Sequence, residues 1–390
     1  MSWAARGFPL EEYRGRVARA QAAMEDAGLD ALLLTGEADV RYFSGFLTRF
    51  WESPTRPWFL VVPAGGDPVA VIPSIGASLM AQTWIEDIRS WRSPDLEDDG
   101  VSLLAEALRE VAGANARVGL PMGAESSLRM PLADFKRLEA VLSPVTLVGD
   151  AGIMRALRIR KSPAEVDKIR TACRIADRAF DRVREIAGEG ARLDEVARRF
   201  QMLCLEEGAD WVPYLACPCG PGGYSDVISP ADGHVFSPGD VLMLDTGLVR
   251  DGYFCDFDRN YSIGAPSPEV QAAHRQLLEA VDAAMEIARP GVTAADLFHA
   301  MDRIVTGGQG GSDTGRLGHG LGMQLTEWPS LIPQDHTSIE AGMVLTLEPG
   351  IEVGMGKILV HEENIVIGDH GAEFLSSPAA PDILCLEARP

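Results

Sequence analysis

Apolar positions recur at helical spacing from Leu10 to Ala27, with Leu10, Tyr13, Val17, Ala20 and Met24 on one face. Gly28 follows as a helix-ending residue. Short apolar runs at Ala31–Leu34 and Phe59–Val62 read as buried strands, the second closed by Pro63-Ala64-Gly65-Gly66. Helix-like and strand-like runs then alternate through Leu103–Val111, Val118–Leu120, Leu132–Val141 and Val145–Val148. That alternation predicts an α/β domain over residues 1–155. A helix start follows at Ser162-Pro163-Ala164-Glu165, with serine at N-cap, proline at N1 and glutamate at N3. Its apolar face runs through Val166, Ile169, Ala172, Cys173, Ala176 and Phe180, and it opens a second domain over residues 156–390.

The second domain repeats itself. Val241–Gly247 reads Val-Leu-Met-Leu-Asp-Thr-Gly and Val344–Gly350 reads Val-Leu-Thr-Leu-Glu-Pro-Gly, so Asp245 and Glu348 lie 103 residues apart. Glu185-Ile186-Ala187 with Gly190 matches Glu286-Ile287-Ala288 with Gly291 at a spacing of 101. Two segments in nearly one register point to an internal duplication, each half reading helix, helix, strand, strand. The first strand of each half is expected to be buried and tipped by a carboxylate. In the first half, Arg250-Asp251-Gly252 reads as a hairpin turn, and Tyr253–Asn260 returns with Phe254, Asp256, Asp258 and Asn260 on one face. In the second half, Lys357–Ile367 returns as an apolar strand carrying His361, Glu362, Glu363 and Asn364. His319 stands in Leu-Gly-His-Gly-Leu-Gly, where flanking glycines are expected to leave it little steric cover. The fold class is therefore α/β (α+β), with a pseudo-two-fold repeat in its second domain.

Composition narrows the partners. The chain has 390 residues, 46% hydrophobic and 24% charged, as in ordinary globular proteins. Fifty-seven acidic against 35 basic residues leave a formal charge of −22, which argues against nucleic-acid binding. No apolar run approaches a membrane span. The N-terminal Met-Ser-Trp-Ala-Ala-Arg-Gly lacks a signal-peptide pattern. Six cysteines make no disulfide framework, so the reducing cytoplasm is the expected compartment. Cys217-Pro-Cys219 is the one close pair, and its single intervening residue argues against a metal or redox role.

Asp245, Asp256, His319, Glu348 and Glu362 offer four carboxylates and one imidazole. Four buried acids require compensating charge, which two divalent cations would supply. Oxygen-rich ligation with one histidine suits manganese, cobalt, zinc or iron. A pair of such ions about 3.5–4 Å apart holds a bridging water, lowers its pKa and polarises a carbonyl.

The same motifs resemble the pita-bread metallopeptidase superfamily, which includes aminopeptidase P, prolidase, methionine aminopeptidase and creatinase. The matching stretches are Asp245-Thr-Gly with Asp256 eleven residues on, Gly-His319-Gly-Leu-Gly, Leu-Glu348-Pro-Gly and Glu362. Arg160-Lys161-Ser162-Pro163-x-Glu165 and Val40–Phe46 are also similar, so the resemblance spans nearly the whole chain. It implies a creatinase-like N-terminal domain, a pita-bread catalytic domain and a homodimer. It also implies that the five residues hold two metal ions, with Glu348 as general base and His319 as a catalytic ligand. Creatinase lacks the metals, so five retained ligands argue against a metal-free mechanism.

Three positions depart from the family pattern. Val227-Ile228 and Thr326 stand where family peptidases carry substrate-binding histidines, and Asp258 stands where threonine is usual. Asp258 and Thr326 thus become candidates for the metal or substrate shell. So do Arg49 and Trp51, in a loop with Arg56 and Trp58 that in this family can reach a partner's site. His234 and His336 are further loop candidates, while His361 and Cys255 are expected to point away from the metals. The expected activity is hydrolysis of a small amide or X–Pro peptide. The alternatives are a same-fold enzyme acting on a non-peptide metabolite, as dimethylsulfoniopropionate lyases or ectoine hydrolases do, and an inactive binding protein.

Overall fold

The computed structural model describes residues 6–53, 57–308, 315–354 and 356–387. The chain divides into two compact units, Met1–Arg158 and Ile159–Pro390.

The first unit begins with α1 (Leu10–Ala27), whose buried face is Tyr13, Arg16, Val17, Ala20 and Met24 and which ends on left-handed Gly28. It continues through β1 (Ala31–Leu34), α2 (Glu37–Ser44), β2 (Phe59–Pro63), β3 (Val69–Pro73), α3 (Ala77–Met80), β4 (Asp87–Trp91), α4 (Val101–Ala112), β5 (Arg117–Leu120), α5 (Leu132–Leu142), β6 (Thr146–Gly149) and α6 (Ile153–Ile159). Its six strands form one mixed sheet in the order β4-β3-β2-β1-β5-β6. The fully apolar β1, β2 and β3 are buried throughout, with Leu104 and Leu108 of α4 and Leu138 of α5 in the core against them. Burial on both faces explains their unbroken apolar runs.

The second unit opens with α7 (Pro163–Asp181), where both hydrogen bonds of the Ser162/Glu165 capping box are made. Then come α8 (Leu193–Glu206), β7 (Trp211–Ala216), β8 (Cys219–Pro221), β9 (Asp240–Arg250), β10 (Tyr253–Phe254) and β11 (Phe257–Ile263). The second half repeats the helix pair as α9 (Pro268–Ile287) and α10 (Ala294–Val305). Its strands are β12 (His319–Gly320), β13 (Glu327–Ser330), β14 (Val344–Leu347), β15 (Gly350–Gly354), β16 (Lys357–Val360), β17 (Glu363–Ile367), β18 (Ala372–Phe374) and β19 (Leu384–Leu386). Both α7 and α9 start with an N-cap serine followed by proline at N1. In each half a buried strand pairs antiparallel with its return: β9 with β11, placing Asp245 opposite Asp258, and β14 with β17, placing Leu347 opposite Glu363.

Three local expectations are corrected. Asp245 is not a strand tip, because β9 runs on to Arg250 and is paired on its flank by β7. The first return is not one regular strand. Cys255 and Asp256 sit in a gap between β10 and β11, because the Asn364 side chain bonds both the N–H and the carbonyl of Asp256 in place of a ladder partner. Lys357–Ile367 is likewise two strands: β16 pairs with β15 and β17 with β14, and in the gap Asp258 accepts the Glu362 N–H. Each gap carries one of the predicted ligands.

Candidate metal centre

All five predicted ligands belong to the second unit. Asp245 comes from β9, Asp256 from the β10–β11 gap, His319 from β12, Glu348 from the end of β14 and Glu362 from the β16–β17 gap. Donor atoms of Asp256, His319 and Glu362 lie within 4.8 Å of one another. His319 Nε2 is 3.4 Å from Asp256 Oδ2 and 3.6 Å from Glu348 Oε2. Asp245 and Glu348 both act electrostatically on Glu362, and Tyr214 of β7 hydrogen-bonds Asp245.

His319 is not lightly covered; it is 2% exposed. Its flanking glycines serve close packing, since a Cβ at Gly318 would fall 2.3 Å from the Thr346 carbonyl and one at Gly320 1.9 Å from that of Trp328. His319 Nδ1 donates to the Gly320 carbonyl at 2.8 Å, which fixes the ring with Nε2 facing the carboxylates, where it is free to hold a proton or, deprotonated, to ligate a cation. Burial pulls the imidazole down, but the Asp256 and Glu348 carboxylates outweigh it and raise it.

Burial, then neighbouring carboxylates, pushes Asp245 and Glu362 well above the usual carboxylate range. Burial raises Asp256 to about 6 against the opposing pull of His319. Asp245 Oδ1 and Glu362 Oε1 are sealed from solvent without a hydrogen-bond partner. Bare buried carboxylate oxygens are costly, and divalent cations remove that cost. Carboxylate oxygens with one imidazole nitrogen fit such ions and exclude a thiolate-dominated site.

The shell candidates separate. Asp258 Oδ1 accepts from His361 Nδ1 at 3.2 Å and from the Glu362 amide at 3.1 Å, so it braces the ligand segment. His361 points away from the centre, and its Nε2 lies 3.2 Å from Glu363 Oε1. Glu363 in turn pairs with Arg259 at 3.0 Å. Cys255 is buried on the opposite side, its thiol toward the Thr246 carbonyl. Val227 packs in the cluster of Tyr224, Val241 and Met243. His234 turns to Asp240 at 2.7 Å, and His336 is exposed near Asp296. Neither joins the five ligands. Within the first unit, Trp51 and Trp58 are buried together beside Phe46, and Arg129 lies over the Trp51 ring. Arg49 is half exposed and pairs with Glu52; Arg56 lies outside the described residues.

Two groups at the centre escape sequence reasoning. Arg316 donates through Nη2 to Thr326 Oγ1 at 3.3 Å, and its Nε lies 3.9 Å from Glu348 Oε1. The only sequence signal was its position three residues before His319. Asn364 clamps Asp256, a pairing of residues 108 apart that no local pattern reveals.

Oxygen donors and one imidazole, gathered between the two duplicated strand pairs, form the centre of a metal-dependent hydrolase. Residues 167–369 match the model of metallopeptidase family M24, and residues 16–160 match the creatinase/prolidase N-terminal domain. The chain belongs to metallopeptidase family M24. It is 30% identical to the probable dipeptidase PepE of Mycobacterium tuberculosis over 348 residues, 89% of each chain. It is 27% identical to the Xaa-Pro dipeptidase of Pyrococcus horikoshii over 357 residues, 90% of this chain and 94% of that one. The crystal structure of dipeptidase PepE from Mycobacterium ulcerans superposes with a TM-score of 0.82 at 29% identity, covering 98% of this chain and all of that one.

Proposed function

We propose that this hydrolase cleaves X–Pro dipeptides or short X–Pro peptides, using two divalent ions held by Asp245, Asp256, His319, Glu348 and Glu362. The observation that carries the reading is the clustering of Asp256, His319 and Glu362, with Glu348 Oε2 3.6 Å from His319 and with Asp245 Oδ1 and Glu362 Oε1 buried and bare. The relatives named as dipeptidases and as an Xaa-Pro dipeptidase support the substrate class. Bound divalent ions supply polarisation of the scissile carbonyl and a lowered pKa for water. Glu348, 22% exposed against 3% for His319, takes the proton of the attacking water and passes it to the leaving nitrogen. The water oxygen bonds the carbonyl carbon as the C–N bond breaks, releasing the amino acid X and a proline N-terminus. Arg316, held between Thr326 and Glu348, sets a permanent positive charge beside the developing oxyanion. It does there the work of the histidines that Val227 and Thr326 replace. We further propose a cytoplasmic homodimer whose catalytic domain begins at residue 156.

The test is amino-acid release from a panel of X–Pro dipeptides and peptides by protein loaded with Mn²⁺ or Co²⁺. Release that disappears in Asp245→Ala and Glu348→Ala is expected. No turnover across the panel, from protein shown by elemental analysis to carry its metal, overturns the peptide reading.

A further inference from the structure

Cys217-Pro-Cys219 takes no part in this chemistry, and its spacing alone forms no metal pair. The fold supplies partners that the spacing lacked. Cys219 lies in β8, His234 in the loop that follows, and Asp240 at the start of β9. One donor atom of each lies within 4.8 Å of the others. Asp240 is 2% exposed, with Oδ2 2.7 Å from His234 Nε2 and accepting the Ser237 amide at 2.9 Å. Cys219 is partly buried and His234 about a third exposed, so the cluster opens to solvent on one side. Burial first, and then the Asp240 and Asp232 carboxylates, push the Cys219 thiol up. The cluster is thus a thiol, an imidazole and a carboxylate with excess negative potential, drawn from three chain segments.

We propose that Cys219, His234 and Asp240 bind one transition-metal cation of the zinc or cobalt class, separate from the carboxylate centre. One sulfur, one nitrogen and one oxygen are the mixed donors that such ions prefer, whereas Mg²⁺ or Ca²⁺ requires oxygen. Tetrahedral zinc bonded at about 2.0–2.3 Å spaces its donors by roughly 3.3–3.8 Å. The three donors already lie within 4.8 Å of one another, and His234 Nε2 and Asp240 Oδ2, 2.7 Å apart, need only part slightly to admit the ion. The ion takes the place of the proton shared by His234 and Asp240, the imidazole N–H shifting to Nδ1, and displaces the Cys219 S–H proton to solvent. The fourth position faces the open side and is filled by water. Occupancy ties β8 and the 222–239 loop to the start of β9, the strand that carries Asp245.

The full-length protein carrying Asp245→Asn and Glu362→Gln, which cripples the carboxylate centre, is titrated with Co²⁺. One equivalent is expected to bind with a near-ultraviolet thiolate-to-cobalt charge-transfer band, which oxygen and nitrogen ligands do not produce. Zn²⁺ competes the band away and protects one thiol from a disulfide reagent. Cys219→Ser abolishes the band, Cys217→Ser keeps it, and His234→Ala, at a partly exposed position, weakens Co²⁺ binding at least tenfold. Absence of the band, or its survival in Cys219→Ser, overturns the proposal. So does unchanged Co²⁺ affinity in a His234→Ala protein whose far-ultraviolet circular dichroism is native. None of these readouts depends on peptide turnover.

Discussion

The turn that leads into β13, beside Thr326 and the metal centre, is held by a buried ion pair. Lys161 Nζ lies 3.0 Å from Glu327 Oε2, with side-chain exposures of 2% and 1%. Glu327 Oε1 also accepts the amides of Met323 at 2.9 Å and Gln324 at 3.1 Å. Removing one member of a buried pair leaves an uncompensated charge and costs about 3–5 kcal/mol. Lys161→Met falls at the lower end, about 3 kcal/mol, because the carboxylate keeps both amide donors. Glu327→Gln strands the ammonium and reaches the upper end of about 3–5 kcal/mol. The double variant removes both charges, while the Gln carbonyl still accepts both amides. Its net cost is then about 1 kcal/mol, a coupling of several kcal/mol in the double-mutant cycle. Urea unfolding followed by tryptophan fluorescence reads this directly, since Trp328 adjoins Glu327 in β13. The two units are fitted as separate transitions. A Lys161→Met cost below about 1 kcal/mol, or a double variant as unstable as the sum of the singles, refutes this account of the turn.

Arg316→Gln is expected to lower kcat by about 10²-fold, as loss of an oxyanion donor does, with KM nearly constant and a native thermal midpoint. An unchanged kcat removes Arg316 from catalysis. Asn364→Leu frees the Asp256 backbone and is expected to weaken metal binding by about 10–100-fold, measured by competition with a chromogenic chelator. Burial holds His274 below its ordinary value, so its neutral form gives stability that is present above pH 6.5 and lost as pH falls through that range. Its Nε2 lies 2.9 Å from the Ala380 carbonyl, a bond that Gln can make. His274→Gln is therefore expected to lose less stability than the parent between pH 7.5 and 5.5 in paired urea titrations.

Much of this protein was legible in one dimension because the physics involved is local. Periodicity located α1 and β1 to the residue, and the Ser162/Glu165 box announced α7, since capping needs only neighbours in sequence. Duplication made the ligands legible too: Asp245 and Glu348 stand out because the chain states the strand–acid pattern twice. Long-range hydrogen bonding was not legible. Asn364 breaks the first return strand and Asp258 the second, so the strands end where side chains from the other half take over the backbone groups. Only the fold showed that Asp258 braces Glu362, that Arg316 faces Thr326, and that His234 leaves the centre for Asp240. The residue types were readable from the chain. Which of them share a few ångströms was decided by the tertiary packing, above all by side-chain hydrogen bonds between the two halves over 104 and 108 residues, because hydrophobic pattern sets which face a strand buries but not which polar groups meet there.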